Sequence, residues 1–287
     1  MKLFSVLLGL LLVITSCEDV IEVDTPSEPP RLAIDGLIRI SDTTATAQTV
    51  RIKAELTSSF FGEVSPANLE SISITNLDYV PSGPLDSNVR QLTEVVPGVY
   101  ESNINTRFLV EGELNLSITH EGQRYLAITE FAPSSPIDEV SQGDGTLFGG
   151  EETEVIISFT DDAERNDYYL FDFDFDEYLV TEDEFYNGQT FEFSYFYDDD
   201  VIPGMEVEIS ILGIDESFYN YMNQLIVQAD SGSQGPFQTP SATVRGNIIN
   251  VTNIDNIDTF DNVEDSNNFA LGYFAVSQTF SQSLTIE

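Results

Sequence analysis

From residue 31 onward the chain is written in short stretches whose apolar residues alternate with polar ones, the period of a strand with one buried face. Arg31 to Ile40, Gln48 to Leu56, Glu70 to Leu77, Val89 to Val95 and Glu113 to His120 alternate or run apolar, separated by Ser, Asn, Pro and Gly clusters. His120-Glu121-Gly122-Gln123 reads as a tight hairpin leading into a strand from Arg124 to Phe131. Leu114, Leu116 and Ile118 share one face, with polar residues between them. Residues 31–132 are therefore expected to form a β-sandwich.

Two prolines flanking two serines at Ala132-Pro133-Ser134-Ser135-Pro136 mark a domain boundary. Beyond it, Glu154 to Thr160, Tyr168 to Val180, Thr190 to Tyr197 and Met205 to Ile214 are again strand-like and rich in Phe, Tyr, Ile and Val. One helix interrupts them. Ser217 is the expected N-cap, and Phe218, Tyr221, Met222, Leu225 and Ile226 fall at helical spacing before Gly232, a stripe that suits core packing. Asn247 to Asp265 is expected to be looped, with a last strand pair from about Phe269. The expectation is an all-β protein of two sandwich-like domains, the second, acidic one covering 137–287 and carrying one inserted helix.

The N-terminus has a different pattern. Lys2 precedes an apolar run from Leu3 to Ile14, too short for a comfortable membrane span, and Ile14-Thr15-Ser16-Cys17 follows. This order reads as a lipoprotein signal peptide over residues 1–16, with lipid added at Cys17, the sole cysteine. Residues 17–30, acidic and proline-containing, suit an extended tether. With that thiol acylated no disulfide is available, so stability falls to cores that 20 Phe and 12 Tyr can fill.

The formal charge of −40 is unevenly spread: 18 acidic against 7 basic side chains over residues 18–132, and 32 against 2 over 133–287. Such a field repels nucleic acid, so no nucleic-acid partner is expected, whereas cations and basic partners remain open. One His, no other Cys and no Trp leave no Cys-His pair and no multi-histidine zinc site. His120 reads as a half-exposed strand-end residue. Carboxylates are abundant enough for a two-acid hydrolase, but abundance makes any one pair uninformative. In Phe171-Asp172-Phe173-Asp174-Phe175-Asp176, period-two alternation places three Phe on a core face and three Asp opposite, about 7 Å apart along the strand. The same Asp172, Asp174 and Asp176 mimic the first ligands of a calcium loop with Asp183 at its twelfth position, but Glu177 stands where that loop needs Gly. A cation bridging this row to a neighbouring acidic strand is the remaining metal reading, and no other cofactor is expected.

Several local sequences occur together in an order that resembles one family, the Bacteroidota lipoproteins grouped as the domain of unknown function numbered 4249. They are Ser16-Cys17-Glu18 with its acidic tether, Arg31-Leu32-Ala33-Ile34-Asp35-Gly36, Pro97-Gly98-Val99-Tyr100, Asn166 to Phe171, Val207 to Leu225 and Ala270-Leu271-Gly272-Tyr273-Phe274. The stretch Pro97 to Phe131 also resembles a prealbumin-like or carboxypeptidase-regulatory sandwich. The family resemblance implies a non-enzymatic outer-membrane lipoprotein, often encoded beside a TonB-dependent transporter, and supplies no catalytic residues. Glu18, Asp19 and Glu22 are similar to the signal that exports such lipoproteins to the cell surface. The expected function is accessory or substrate-binding subunit of a TonB-dependent barrel. A surface adhesive or cation-binding lipoprotein is the alternative, and a carboxylate-dependent hydrolase ranks last.

Overall fold

A computed structural model describes residues 29–58, 62–84, 86–147, 149–150, 152–198, 201–230, 243–256 and 267–287. The signal peptide, Cys17, Glu18, Asp19, Glu22, most of the tether and Gly232 lie outside the described residues.

The first half runs β1 (Leu32–Ile40), β2 (Ala47–Leu56), β3 (Ser65–Pro66), β4 (Ser71–Asn76), β5 (Val89–Gln91), β6 (Thr93–Val96), β7 (Val99–Asn105), a short helix α1 (Thr106–Val110), β8 (Leu114–His120), β9 (Gln123–Thr129) and β10 (Phe131–Ala132). The second runs β11 (Ile137–Gln142), β12 (Thr153–Thr160), β13 (Tyr168–Asp172), β14 (Tyr178–Glu182), β15 (Thr190–Tyr197), β16 (Glu206–Ile214), α2 (Glu216–Asp230), β17 (Ile249–Asn250) and β18 (Leu271–Thr285). The fold is all-β and sandwich-like.

A ten-stranded sheet forms the spine, in the order β14-β13-β16-β18-β1-β2-β7-β6 with β10 and β3 attached beside β18 and β2. A five-stranded sheet, β17-β9-β8-β4-β5, encloses the first core with it: Ile34, Ile38, Val50 and Ile52 from the spine meet Ile72, Ile74, Leu114, Leu116 and Ile118. A three-stranded sheet, β11-β12-β15, encloses the second, where Val155, Ile157 and Phe159 meet Tyr169, Phe171, Ile209 and Ile211. On the opposite face of the spine, Phe218 of α2 packs with Leu170, Leu212, Ile214 and Tyr273 as a third cluster.

The C-terminal strand ties these cores together. In place of the expected strand pair, Leu271–Thr285 is one strand of 15 residues, parallel to β1 and antiparallel to β16. Its polar centre, Ser277-Gln278-Thr279, lies inside the sheet with Ser277 and Thr279 buried. Phe274 and Val276 enter the first core, Tyr273 and Ala275 the third cluster, and Phe280 and Leu284 pack on the second core.

The segment from Ala132 to Pro136 carries the chain from β10 to β11 and is packed rather than exposed, and Ile248, Ala270, Phe274 and Val276 from beyond it enter the first core. Ser134 and Ser135 are buried, the Ser134 N–H donates to Gln278 Oε1 at 3.0 Å, and a Cβ on Gly213 would stand 1.8 Å from the Pro133 carbonyl oxygen. Two prolines lack N–H groups, which reduces the number of donors such a buried crossing must satisfy. The Val89-to-Val95 strand also divides, because buried Leu92 is the corner at which the chain leaves the five-stranded sheet for the spine. The helix begins before Ser217: the Asp215 carboxylate accepts from the Phe218 N–H at 2.7 Å and is the N-cap.

Gly272 makes the parallel pairing with β1 possible. Its φ is +94°, and a Cβ there would lie 1.8 Å from the Ile34 carbonyl oxygen. Gly272→Ala is expected to destabilise the protein by about 3 kcal/mol or more, because strain and overlap act together. Urea denaturation of the variant beside the parent protein measures it.

Candidate functional site

Because β1 and β18 are parallel neighbours, the segments that enter them arrive at the same end of the first sandwich. The β8–β9 turn arrives there too. His120 pairs with Gln123 across Glu121 and Gly122, both at positive φ, so the hairpin has the form its sequence predicts. Together these elements surround a cavity of about 820 Å³, lined by Pro29, Pro30, Arg31 and Leu32 from the chain entry, His120, Glu121, Gln123 and Tyr125 from the hairpin, and Asn267, Asn268 and Phe269 from the approach to β18. That volume lies in the range of small-molecule sites.

His120 is buried at 7% exposure, not half-exposed as its place beside a turn suggests. Its Nδ1 lies 3.0 Å from the Asn68 carbonyl oxygen, which only accepts, so Nδ1 carries a hydrogen. Gln123 Oε1 accepts from Asn250 Nδ2 at 3.2 Å and Asn268 Nδ2 at 3.1 Å, which fixes the amide's orientation. Burial, with a smaller contribution from Glu121, raises the Tyr125 phenol pKa above its ordinary value and keeps it protonated as a donor. The guanidinium carbons of Arg31 and Arg245 stand 4.0 and 3.6 Å from the centre of the Phe269 ring, and Arg31 also donates to the Asn267 carbonyl. In a chain with 10 basic residues, two are spent on one aromatic ring at the cavity's edge.

The lining is thus amide, imidazole, guanidinium and aromatic, suited to holding a polar ligand through hydrogen bonds and ring contacts. Glu121 is the single carboxylate among its described residues, and no Ser, Thr or Cys is present. A two-carboxylate hydrolysis has no acid pair in this cavity. Sequence patterns had shown the hairpin but not the cavity, because Asn267 to Phe269 reach it only through the pairing of β18.

The aspartate row adopts another form. The continuous strand expected from Tyr168 to Val180 is a hairpin of β13 and β14, and Asp174, Phe175 and Asp176 take φ of 68°, 51° and 64° at its turn. Alternation ends there: Phe173 is fully buried, whereas Phe175 is 48% exposed. The aromatic neighbours hold the turn, with Phe173 stacked on Tyr195 at 3.8 Å and its carbonyl accepting from the Tyr197 hydroxyl at 2.6 Å. Asp172 pairs with Arg39 at 2.6 Å and accepts from the Asp174 N–H at 3.1 Å. Among the described residues, no group of three or more His, Cys, Asp or Glu is arranged to hold a metal ion, so the turn does not gather Asp172, Asp174 and Asp176 into a cation site.

The buried acids lie elsewhere, at one end of the second sandwich. The Tyr169 hydroxyl is 2.6 Å from Asp161 Oδ1, 2.9 Å from Asp167 Oδ2 and 3.1 Å from Ser135 Oγ. Arg165 donates to Asp167 at 2.8 and 3.1 Å, Gly188 N–H to Asp161 at 2.8 Å, and Asp167 N–H to Asp183 at 2.8 Å. One phenol hydrogen serves one carboxylate at a time. Burial raises the Asp167 pKa above its ordinary value, which relieves this crowding, and burial followed by the Asp161 bond raises that of Tyr169 well above its own. The network joins the loops around β13 and the chain crossing at Ser135. Nothing in the spacing of three Asp residues among 50 acids marks them in the sequence.

The family model described as "Domain of unknown function (DUF4249)" matches residues 18–283. The chain belongs to this family. No curated protein matches it. Among solved structures, "Anomalous substructure of Titin-A168169" aligns at 11% identity, covering 67% of this chain and 93% of its own, with a TM-score of 0.19, too low to inform fold or function.

In this DUF4249 chain, replacing Tyr169 by Phe is expected to cost about 1–3 kcal/mol, since buried carboxylates lose their donor. The folded state holds the Asp167 proton more tightly than the unfolded state does. The stability from this group is therefore full below the ordinary aspartate pKa and is lost as pH rises through the raised value. Asp167→Asn should remove that component, so the stability difference between parent and variant shifts toward the variant from pH 3 to pH 7, as read by denaturation at each pH.

Proposed function

We propose that this protein is a Bacteroidota outer-membrane lipoprotein, acylated on Cys17 and displayed at the cell surface, that serves as a non-enzymatic accessory or substrate-binding subunit of a TonB-dependent transporter. The carrying observation is the place of the 820 Å³ cavity: its lining begins with Pro29 and Pro30, which end the tether, and Arg31, which follows it. Residues 18–28, even fully extended, span at most about 40 Å. A lipid on Cys17 therefore keeps this cavity close to the membrane, where a barrel mouth would be. Confinement raises the effective concentration of the cavity at the barrel, so a modest affinity for a polar ligand is sufficient. The lining supports binding over catalysis, because it offers donors, acceptors and ring faces without a paired acid or a nucleophilic hydroxyl.

Cys17→Ser is expected to abolish incorporation of radiolabelled palmitate and to move the protein from the outer-membrane fraction into the soluble one. Solubilising outer membranes in mild detergent and purifying the protein through a tag after exposed Glu287 is expected to bring down a TonB-dependent barrel in near-stoichiometric amount. Recovery of the lipoprotein alone, under conditions that preserve a known barrel complex, would retire the transporter reading.

A further inference from the structure

In an antiparallel pair, residues that exchange hydrogen bonds with the partner alternate with residues whose N–H and C=O point away from it. Two bonds fix the phase for β13 and β14: the Phe173 N–H donates to the Glu177 carbonyl at 2.9 Å, and the Asp183 N–H to the Asp167 carbonyl at 3.1 Å. In the observed register Tyr178 faces Asp172, Val180 faces Leu170 and Glu182 faces Tyr168, all in the opposite phase. The N–H and C=O groups of Tyr178, Val180 and Glu182 therefore point outward, along the terminal edge of the ten-stranded sheet. Apart from a long bond from the Thr181 hydroxyl to the Glu182 carbonyl at 3.4 Å, no hydrogen bond from the described residues occupies this row. Its sequence, Tyr-Leu-Val-Thr-Glu, has none of the lysines or prolines that usually blunt an edge.

A groove of about 730 Å³ opens at the Tyr178 end of this edge. Tyr178 and Leu179 of β14, Phe196 of β15, and Met222, Leu225 and Ile226 of α2 give it an apolar lining. Since β15 is also the last strand of its sheet, two strand edges meet one groove. Asp176, Glu177 and Asp198 line it as well, and no basic side chain does. The strained turn at Asp174 to Asp176 is what presents the first two of these acids.

We infer that this groove binds an extended segment of a partner polypeptide, which adds a strand to β14 and carries apolar side chains alternating with lysine or arginine. Main-chain bonds to Tyr178, Val180 and Glu182 supply the register, apolar side chains cover the groove lining, and basic ones meet Asp176, Glu177 and Asp198. The same charges repel a second copy of this acidic chain. The inference depends neither on lipidation nor on the transporter reading.

The test uses the purified protein and a synthetic octapeptide of alternating lysine and valine. Binding is expected to slow hydrogen exchange at the amides of Tyr178, Val180 and Glu182 and to leave Leu179 and Thr181, already bonded to β13, unchanged. Val180→Pro removes an outward N–H without breaking a bond to β13, and should weaken binding about tenfold or more; Val180→Ala keeps the N–H and should stay within about threefold. A peptide of alternating glutamate and valine should not bind. Protection without the alternating pattern, equal binding by Val180→Pro, or equal binding of the glutamate peptide would overturn the inference. So would protection of the same three amides by self-association without peptide. The exchange pattern in the parent protein decides the matter even if the proline variant fails to fold.

Discussion

The structure depends on the parallel pairing of β18 with β1. A parallel pair needs a long connection, and here nearly the entire chain, from Ser41 to Ala270, lies between the two partners' paired residues. Once formed, the strand has both faces covered: Phe274 and Val276 enter one core, and Tyr273 and Ala275 the cluster under α2. A strand buried on both sides contributes about 1.5–3 kcal/mol for each large apolar side chain it sequesters, and its backbone polar groups are met by β1 over Leu271 to Gln278, by the Asn247 side chain at Phe274 and by β16 from Thr279 onward. The close approach this requires explains Gly36 and Gly272, each facing a carbonyl oxygen where a Cβ would collide.

The same pairing sets the positions of the functional surfaces. Parallel strands begin at the same end, so the segments leading into β1 and β18 converge on the β8–β9 hairpin and enclose the cavity. At the other side of the spine the sheet simply stops at β14, and the facing sheet stops at β15, with α2 covering a face but not the edge. The molecule therefore carries a polar, aromatic cavity near the tether and, at the β14 edge, an apolar groove bounded by carboxylates. The acidic excess of the second half belongs with the groove, where no basic side chain offsets it.

In the second sandwich, electrostatics is handled by local pairing rather than by distance. The acids at Asp161, Asp167 and Asp183 are buried because Tyr169, Arg165, Asn187 and backbone N–H groups meet them. Burial raises the pKa of Asp167 even so, which shows that desolvation exceeds the help from Arg165. Asp172 and Asp174 are in the opposite situation, at and beside an exposed turn, where each caps an N–H group and Asp172 also pairs with Arg39.

The sequence by itself determined the strand-rich character, the β8–β9 hairpin, most strand positions and the helix near Phe218, because each follows from local periodicity and turn chemistry. It also carried the family signature over residues 18–283. Local pattern failed where a polar stretch was stabilised from outside. In place of the expected strand pair, Ser277-Gln278-Thr279 lies in the middle of one strand, β18, since β1, β10 and β16 meet its backbone. The Phe-Asp alternation after Asp172 resembles a strand yet turns at Asp174, since Tyr195 and Tyr197 hold Phe173 from another sheet. The burial of His120 beside a turn, the cavity around it and the open edge at β14 were likewise decided by tertiary structure. Each arises from residues far apart in sequence, and a period of two states which face a side chain takes without stating what will lie against it.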